Sequence, residues 1–411
     1  MMFPYLFHRR LMLAAAFALT ATGIAAADTP FVGTWSVSAY AQAAHFEQQT
    51  LRQIVHTSVG GATARIHLSN VFGDAPLQIA DVHIARRDHD AAIIASTDVA
   101  VTFAGAGEVT IPAGANIVSD PIAFEVPPLA DVAISVYLPE ATGAATGHGF
   151  ALQTHYIAQG DVSAAADLAD AQQVHNYYFL SGLDVQNPDV TAAVVLFGAS
   201  ITDGYGSTPD SNRRWANRLA EDLASAGVAI GVLNQGISGN RLLYDGNGPN
   251  AVSRFERDVL DQPGVRWVIF SDDPINDLGS DDPLPDVQDF ILAVRHLIGR
   301  AHARGIGFIC STLTPFEGAA YWTPQAEPVR EAFNDFVRNT ANGCDGIVDQ
   351  DLATHDPARP SWYLPAYDAG DHLHPNDDGH AAIAAAVDPA LFAGDIVDAI
   401  FTDGFDGAAA H

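Results

Sequence analysis

The sequence predicts an α/β protein in two parts. An antiparallel, jelly-roll-like β-sandwich over residues 28–185 precedes a three-layer α/β/α domain with a parallel sheet over residues 186–411. Three observations predict this. Residues 31–180 hold short alternating or β-branched runs, broken by Gly, Pro, Asn and Asp, with little helical periodicity. Beyond residue 185, apolar runs of strand length alternate with segments of helical period, as parallel sheets covered by helices require. The 411-residue length and 48% hydrophobic content fit two or three globular domains with ample core.

The chain opens like an export signal over residues 1–27. His8-Arg9-Arg10 supply a positive region, Leu11 to Ile24 an apolar stretch, and Ala25-Ala26-Ala27 a small-residue cleavage site before Asp28. The run is short for a spanning helix, and no other stretch is long and apolar enough to cross a bilayer, so a secreted or periplasmic protein without stable membrane insertion is expected. The first domain's strands include Thr34-Trp35-Ser36-Val37-Ser38, Ala64-Arg65-Ile66-His67-Leu68, Val109-Thr110-Ile111 and Val132 to Tyr137. Ala164 to Ala171 reads as a loop or short helix near the boundary. In the second domain, strands are expected at 192–197, 229–234, 266–271, 306–312 and 346–349, and helices at 213–226, 249–260, 286–304, 324–342 and 377–387. Val287, Phe290, Ile291, Val294, Leu297, Ile298 and Ala301 recur at helical spacing and form a core-facing stripe.

Four loop segments carry chemistry. Gly198-Ala199-Ser200-Ile201-Thr202-Asp203-Gly204 follows the first strand, where small residues permit a sharp turn and leave Ser200 approachable. Asn234-Gln235-Gly236-Ile237-Ser238-Gly239-Asn240 and Ile275-Asn276-Asp277 follow the second and third strands, and Asp371-His372-Leu373-His374-Pro375-Asn376 lies near the C-terminus. Taken singly, Ser200 could cap a helix, Gly236 and Gly239 could be turn glycines, Asn276 an Asx-turn residue, and His374 a structural loop histidine. Ligands of such sheets bind at the carboxyl ends of the strands, where Ser200, Gly236 and Asn276 all fall.

These four blocks in this order resemble the SGNH, or GDSL-type, serine hydrolases, over roughly residues 190–390. The resemblance implies a flavodoxin-like sheet and a carboxylic ester hydrolase; separately, with no C-x-x-C or H-E-x-x-H spacing in the chain, no cofactor and no metal are expected. Ser200 would be the nucleophile, His374 its base and Asp371 the orienting carboxylate, with the oxyanion held by the backbone N–H of Ser200, the backbone N–H of Gly236 and the Asn276 amide. Two positions depart from the family pattern: Ala199 stands where Asp is usual and Pro274 where Gly is usual. Exported two-domain members suggest deacetylation of a xylan-type or related plant polysaccharide. A general short-chain esterase or lipase, and a catalytically impaired glycan-binding protein, are the alternatives.

The formal net charge is −30, and all 19 basic residues are arginine, which excludes nucleic acid and anionic membrane surfaces as partners. The expected partner is an ester substrate; oligomeric state is left open. Cys310 lies mid-strand and Cys344 before the next strand, a stagger that predicts two free thiols despite an oxidising compartment. Asp371, His372, His374, Asp377 and Asp378 match no standard metal spacing. The acidic run Asp272 to Asp286 lacks calcium-loop spacing and reads as a solvated loop. Trp35, His45, Phe46, His56 and His67 read as core and edge residues rather than a sugar-binding face.

Overall fold

The computed structural model describes residues 1–2, 29–280 and 284–393. The export signal expected over residues 1–27 therefore lies, from residue 3 on, outside the described residues. None of the helices among the described residues is long and apolar enough to cross a membrane.

The first domain is built on two large antiparallel sheets of four and seven strands, with a three-stranded and a two-stranded sheet beside them. Phe31–Ser36, Leu180–Gln186, Thr63–Ser69 and Asn116–Val118 form the four-stranded sheet, in that order. The larger sheet centres on Gln49–His56, Asp131–Leu138 and Asp81–His89. Period-two alternation divides the larger sheet's side chains: Val82, Ile84, Val132, Ile134 and Val136 join the main core. Ile54, Ala85 and Ala133 point the other way into a smaller cluster with Tyr156 and Leu168.

The second domain is a five-stranded, wholly parallel sheet of β1 (Ala193–Gly198), β2 (Gly231–Gly236), β3 (Val265–Phe270), β4 (Gly307–Ser311) and β5 (Gly346–Val348), in spatial order β2-β1-β3-β4-β5. Each observed strand lies within two residues of its expected start. Every residue of β1 is buried, so a continuous apolar run rather than alternation encodes it. The helices are α1 (Ser200–Asp203), α2 (Trp215–Ser225), α3 (Ala251–Phe255), α4 (Asp273–Ser280), α5 (Val287–His302), α6 (Ala326–Arg338), α7 (Gln350–Thr354) and α8 (Asp377–Ala385). Right-handed crossovers put α2 on one face and α3, α5 and α6 on the other. α8 packs on α2, and α5 packs on α6. The order of the strands reverses between β1 and β3, and the crevice at such a switch point is where ligands bind.

The β-domain covers the free edge of β2. Val232 N–H donates to Ser58 Oγ (3.0 Å) and Gln235 Nε2 to Ser36 Oγ (2.8 Å). A Cβ on Gly231 would lie 2.0 Å from the Gly33 carbonyl oxygen, so only glycine allows this approach. The edge that could otherwise recruit another chain is thus closed from within.

Three expectations need correction. Cys310 and Cys344 are not free: they form a disulfide with Cα atoms 5.9 Å apart. The stagger argument fails because the chain curls back over β4 before β5 begins. Asp345 N–H donates to the Phe308 carbonyl (2.8 Å), and its carboxylate accepts from Phe308 N–H (2.6 Å), which sets Cys344 beside Cys310. For this 34-residue separation, Cys344→Ser should cost about 3–4 kcal/mol on chain-entropy grounds. An unchanged urea midpoint in the variant would show that the bridge does not stabilise the fold. Second, the acidic run is not a solvated loop, since Asp272, Asp273 and Asp277 are buried and α4 starts at Asp273. Residues 281–283 of that run lie outside the described residues. Third, the helix expected over 249–260 is α-helical only to Phe255 and continues as a π-turn over Glu256–Leu260.

In the β-domain, Phe46 is buried against Tyr178 and Phe179, and Trp35 packs on Tyr177. His56 pairs with Asp131 and His67 with Asp184, while His45 is exposed.

Candidate active site

Gly198 ends β1 and delivers the turn that carries Ser200. A Cβ there would lie 2.3 Å from Thr202 Oγ1 and 2.4 Å from Asp272 Oδ1, so no side chain fits. The turn is held by a carboxylate from another strand end. Asp272, just past β3, accepts from the backbone N–H groups of Ala199 (3.0 Å), Ile201 (2.8 Å) and Thr202 (3.3 Å) and from the Thr202 hydroxyl (2.6 Å). The carboxylate missing at position 199 is thus supplied by Asp272.

His374 arrives on the loop before α8. Asn376 caps that helix, accepting from Asp378 and Gly379 N–H, and Asp368 gathers Gly370 N–H, His372 N–H and the His372 ring. This brings His374 Nε2 to 2.8 Å from Ser200 Oγ and His374 Nδ1 to 2.7 Å from Asp371 Oδ2. The carboxylate only accepts, so Nδ1 carries the proton and Nε2 of the neutral ring faces the serine hydroxyl as an acceptor. Desolvation would raise the Asp371 pKa. The His374 side chain and the backbone N–H groups of His374 and Leu373 outweigh it and hold the carboxyl well below the usual carboxylate range. Ser200 and His374 are nearly buried. The Tyr205 ring lies 4.0 Å from the His374 ring, and Phe150 of the β-domain stacks on Tyr205 at 5.2 Å.

Asn276 sits in the first turn of α4. Pro274 is tolerated there because the first N–H groups of a helix have no intrahelical acceptor. It therefore starts a helix instead of disrupting a loop. The Asn276 carbonyl oxygen accepts from the Tyr321 hydroxyl (3.2 Å), and Nδ2 donates one hydrogen to the Asn240 carbonyl (2.8 Å). The amide has a second hydrogen to offer. Asp277 accepts from Leu242 and Leu243 N–H at 2.6 and 3.1 Å, clamping the 237–243 loop onto α4.

Gly236 does not occupy the expected place. It is the last residue of β2, and its N–H donates to Asn234 Oδ1 (2.9 Å). Its lack of a side chain serves packing: a Cβ would lie 2.3 Å from Asp203 N in α1. Three residues on, Gly239 occupies a turn with φ +78°, and among the described residues its N–H has no acceptor.

Several residues at the site gave no signal in the sequence. Arg254 is fully buried beneath it and donates to the carbonyls of Gly198 (2.9 Å) and Gln235 (2.7 Å) and to Asn240 Oδ1 (2.9 Å), tying the ends of β1 and β2 together. Asp273 lies 3.3 Å from it; burial pushes its pKa up to about 7 against the pull of the guanidinium. Asp203, in the same helical turn as Ser200, and His148 are the others. Of the histidine–aspartate group near the C-terminus, His372 bonds Asp368 and Asp377 bonds Thr208 and Arg213. Among the described residues, no group of three or more His, Cys, Asp or Glu side chains is arranged to hold a metal ion.

A doubly wound parallel sheet with a serine, histidine and aspartate joined at its switch point defines an α/β domain of the hydrolase class. Residues 196–382 form a domain that matches the GDSL-like Lipase/Acylhydrolase family. Curated proteins provide no match. Among solved structures, the chain is similar to a lipolytic protein of the G-D-S-L family from Desulfitobacterium hafniense, at 18% identity, covering 49% of this chain and 99% of that one, with a TM-score of 0.37. A GDSL-like lipase from Bacteroides thetaiotaomicron aligns at 18% identity over 49% of this chain and 89% of that one, with a TM-score of 0.38. An acetyl xylan esterase aligns at 22% identity over 47% of this chain and 96% of that one, with a TM-score of 0.37.

Proposed function

We propose that the protein is an exported serine esterase that removes short acyl groups, acetyl foremost, from polysaccharide hydroxyls. The observation that carries the catalytic part is the unbroken chain from Ser200 Oγ through His374 to Asp371. In this reading Ser200 Oγ attacks the ester carbonyl carbon while His374 Nε2 takes its proton. Asp371 steadies the imidazolium and does not itself become protonated. The carbonyl oxygen becomes an oxyanion received by the Ser200 N–H, the free hydrogen of Asn276 Nδ2 and, in place of Gly236, the Gly239 N–H. Collapse expels the sugar alkoxide, which takes the proton back from His374. Water, deprotonated by the same imidazole, then frees the carboxylic acid and restores the serine.

A sugar leaving group is supported by the exposed Tyr244, which directly follows the loop that Asp277 clamps to α4. Exposed aromatic faces give a sugar ring apolar surface to stack on. The general short-chain esterase shares this mechanism and is separated from it by substrate.

Two measurements test the reading. A fluorophosphonate should label the protein stoichiometrically at Ser200, and acetylated xylan should release acetate. Aryl acetates cleaved without acetate from any acetylated glycan would leave the general esterase standing. Absence of both labelling and hydrolysis would sink the catalytic reading and favour a glycan-binding role. Asn276→Ala should lower kcat by about 10²–10³ through loss of one oxyanion donor.

A further inference from the structure

We propose that the segment His148–Phe150 of the β-domain is a positioning element of the hydrolase site, with His148 holding the serine and oxyanion loops through Asp203 and Phe150 backing Tyr205 against His374. The inference rests on the reading of Ser200 and His374 as the acylation pair.

The His148 ring is buried between the domains. Its Nδ1 lies 2.9 Å from the Ser38 carbonyl, and its Nε2 lies 3.0 Å from Asp203 Oδ1 and 3.2 Å from the Phe150 carbonyl. All three are acceptors. A neutral imidazole donates from only one nitrogen, so full satisfaction requires the imidazolium. Burial opposes that charge, but Asp203 and the two carbonyls outweigh it and raise the pKa.

Asp203 passes the constraint on. Its other oxygen accepts from Ser238 N–H (2.9 Å) and the Ser238 hydroxyl (2.6 Å). Asp203 lies in α1 with Ser200, and Ser238 directly precedes Gly239. One carboxylate therefore sets the nucleophile turn and the oxyanion loop relative to each other, and the His148 imidazolium anchors it. The same segment reaches the base from the opposite side. Phe150 stacks on Tyr205 with rings 16° from parallel, and Tyr205 in turn covers the His374 ring. Gly149, between them, is pinned by the Tyr40 hydroxyl (3.1 Å). The charged and titratable groups around His148 are Asp203 from α1, Tyr40 from the strand Tyr40–Gln42, Tyr177 paired with His148 on the neighbouring strand, and Arg214, which donates to the Asp203 carbonyl and lines the same cavity, with Asp258 and its arginine partners Arg254 and Arg257 behind Ser38.

The experiment uses the full chain and p-nitrophenyl acetate, an ester too small to need a glycan platform. His148→Gln keeps a donor toward Asp203 but carries no charge and never titrates. It should lower kcat by roughly 10- to 100-fold, the scale of an ångström-sized misplacement, with KM unchanged. The sign of the pH effect follows from the raised pKa: the interaction is complete at low pH and is lost as pH rises through the folded-state value. Wild-type kcat should therefore decline at alkaline pH, and His148→Gln should lack that decline. Phe150→Ala should lower kcat several-fold, and Phe150→Tyr, which restores a ring, should recover it. A kcat within twofold of wild type in both His148→Gln and Phe150→Ala would overturn the proposal, as would an alkaline decline retained in His148→Gln, which marks a merely structural histidine. If His148→Gln does not fold, the Phe150 pair decides. Ser200→Ala separates the two ideas: inactive Ser200→Ala beside fully active segment variants defeats only this inference, whereas active Ser200→Ala defeats the catalytic reading beneath it.

Discussion

Ser200→Ala should lose ester hydrolysis almost completely, with kcat falling on the order of 10⁶-fold while the fold is retained. The size of the effect follows from the geometry. His374 Nε2 faces the Ser200 hydroxyl at 2.8 Å, and Asp371 reaches the ring only through Nδ1, so the hydroxyl is the one group placed to form the acyl bond. The variant deletes a single nearly buried oxygen and leaves the Asp272 cradle on Ala199, Ile201 and Thr202 untouched, so stability should change little. His374→Ala should cost a similar factor. The double variant should be no worse than either, because the two groups act as one unit. Turnover of p-nitrophenyl acetate and acetylated xylan by purified Ser200→Ala checks this; a rate within tenfold of wild type would end the serine mechanism.

The parts of the fold that read well from sequence are those whose signal is local. β1 is buried along its whole length, so its apolar run marks it without reference to any partner. The stripe from Phe290 to Ala301 shows in α5 as a buried face. Ser200, Asp371 and His374 stand in recognisable short blocks, and the structure brings their side chains together.

What did not read well depends on partners distant in sequence. Ser271-Asp272-Asp273-Pro274 looks like a solvated loop until the N–H groups around Ser200 and the Arg254 guanidinium are present to take its carboxylates. Two glycines, 236 and 239, lie in one motif, and residue identity does not distinguish the one engaged by Asn234 from the one on the open turn. The disulfide is hidden for a similar reason: strand stagger ignores the turn that Asp345 folds back over Phe308. His148 and Phe150 could not be assigned to a site carried by another domain.

Asp272 carries the second large expected effect, because its carboxylate alone takes four donors of the turn that carries Ser200. Its Oδ1 takes Ala199 N–H, Thr202 N–H and the Thr202 hydroxyl, and its Oδ2 takes Ile201 N–H. Asparagine has nearly the same shape but only one accepting oxygen. If that oxygen replaces Oδ1, an NH₂ group confronts the Ile201 N–H; in the flipped amide it confronts the other three donors. Either way at least one buried donor is left unsatisfied, a cost of about 1–3 kcal/mol per group. The turn can relieve this only by moving, and Ser200 moves with it. Asp272→Asn should therefore lower kcat by on the order of 10²-fold, the penalty of an ångström at the reacting atom, with KM little changed. Asp272→Ala should do at least as much damage and also lower Tm, since it orphans all four donors and opens a cavity. Because Asp272 bonds the turn and not Ser200 Oγ, the pH dependence of the residual activity should match wild type. A shifted profile would recast Asp272 as a proton carrier, and an unchanged kcat in Asp272→Asn would mean that the turn holds its shape without the carboxylate.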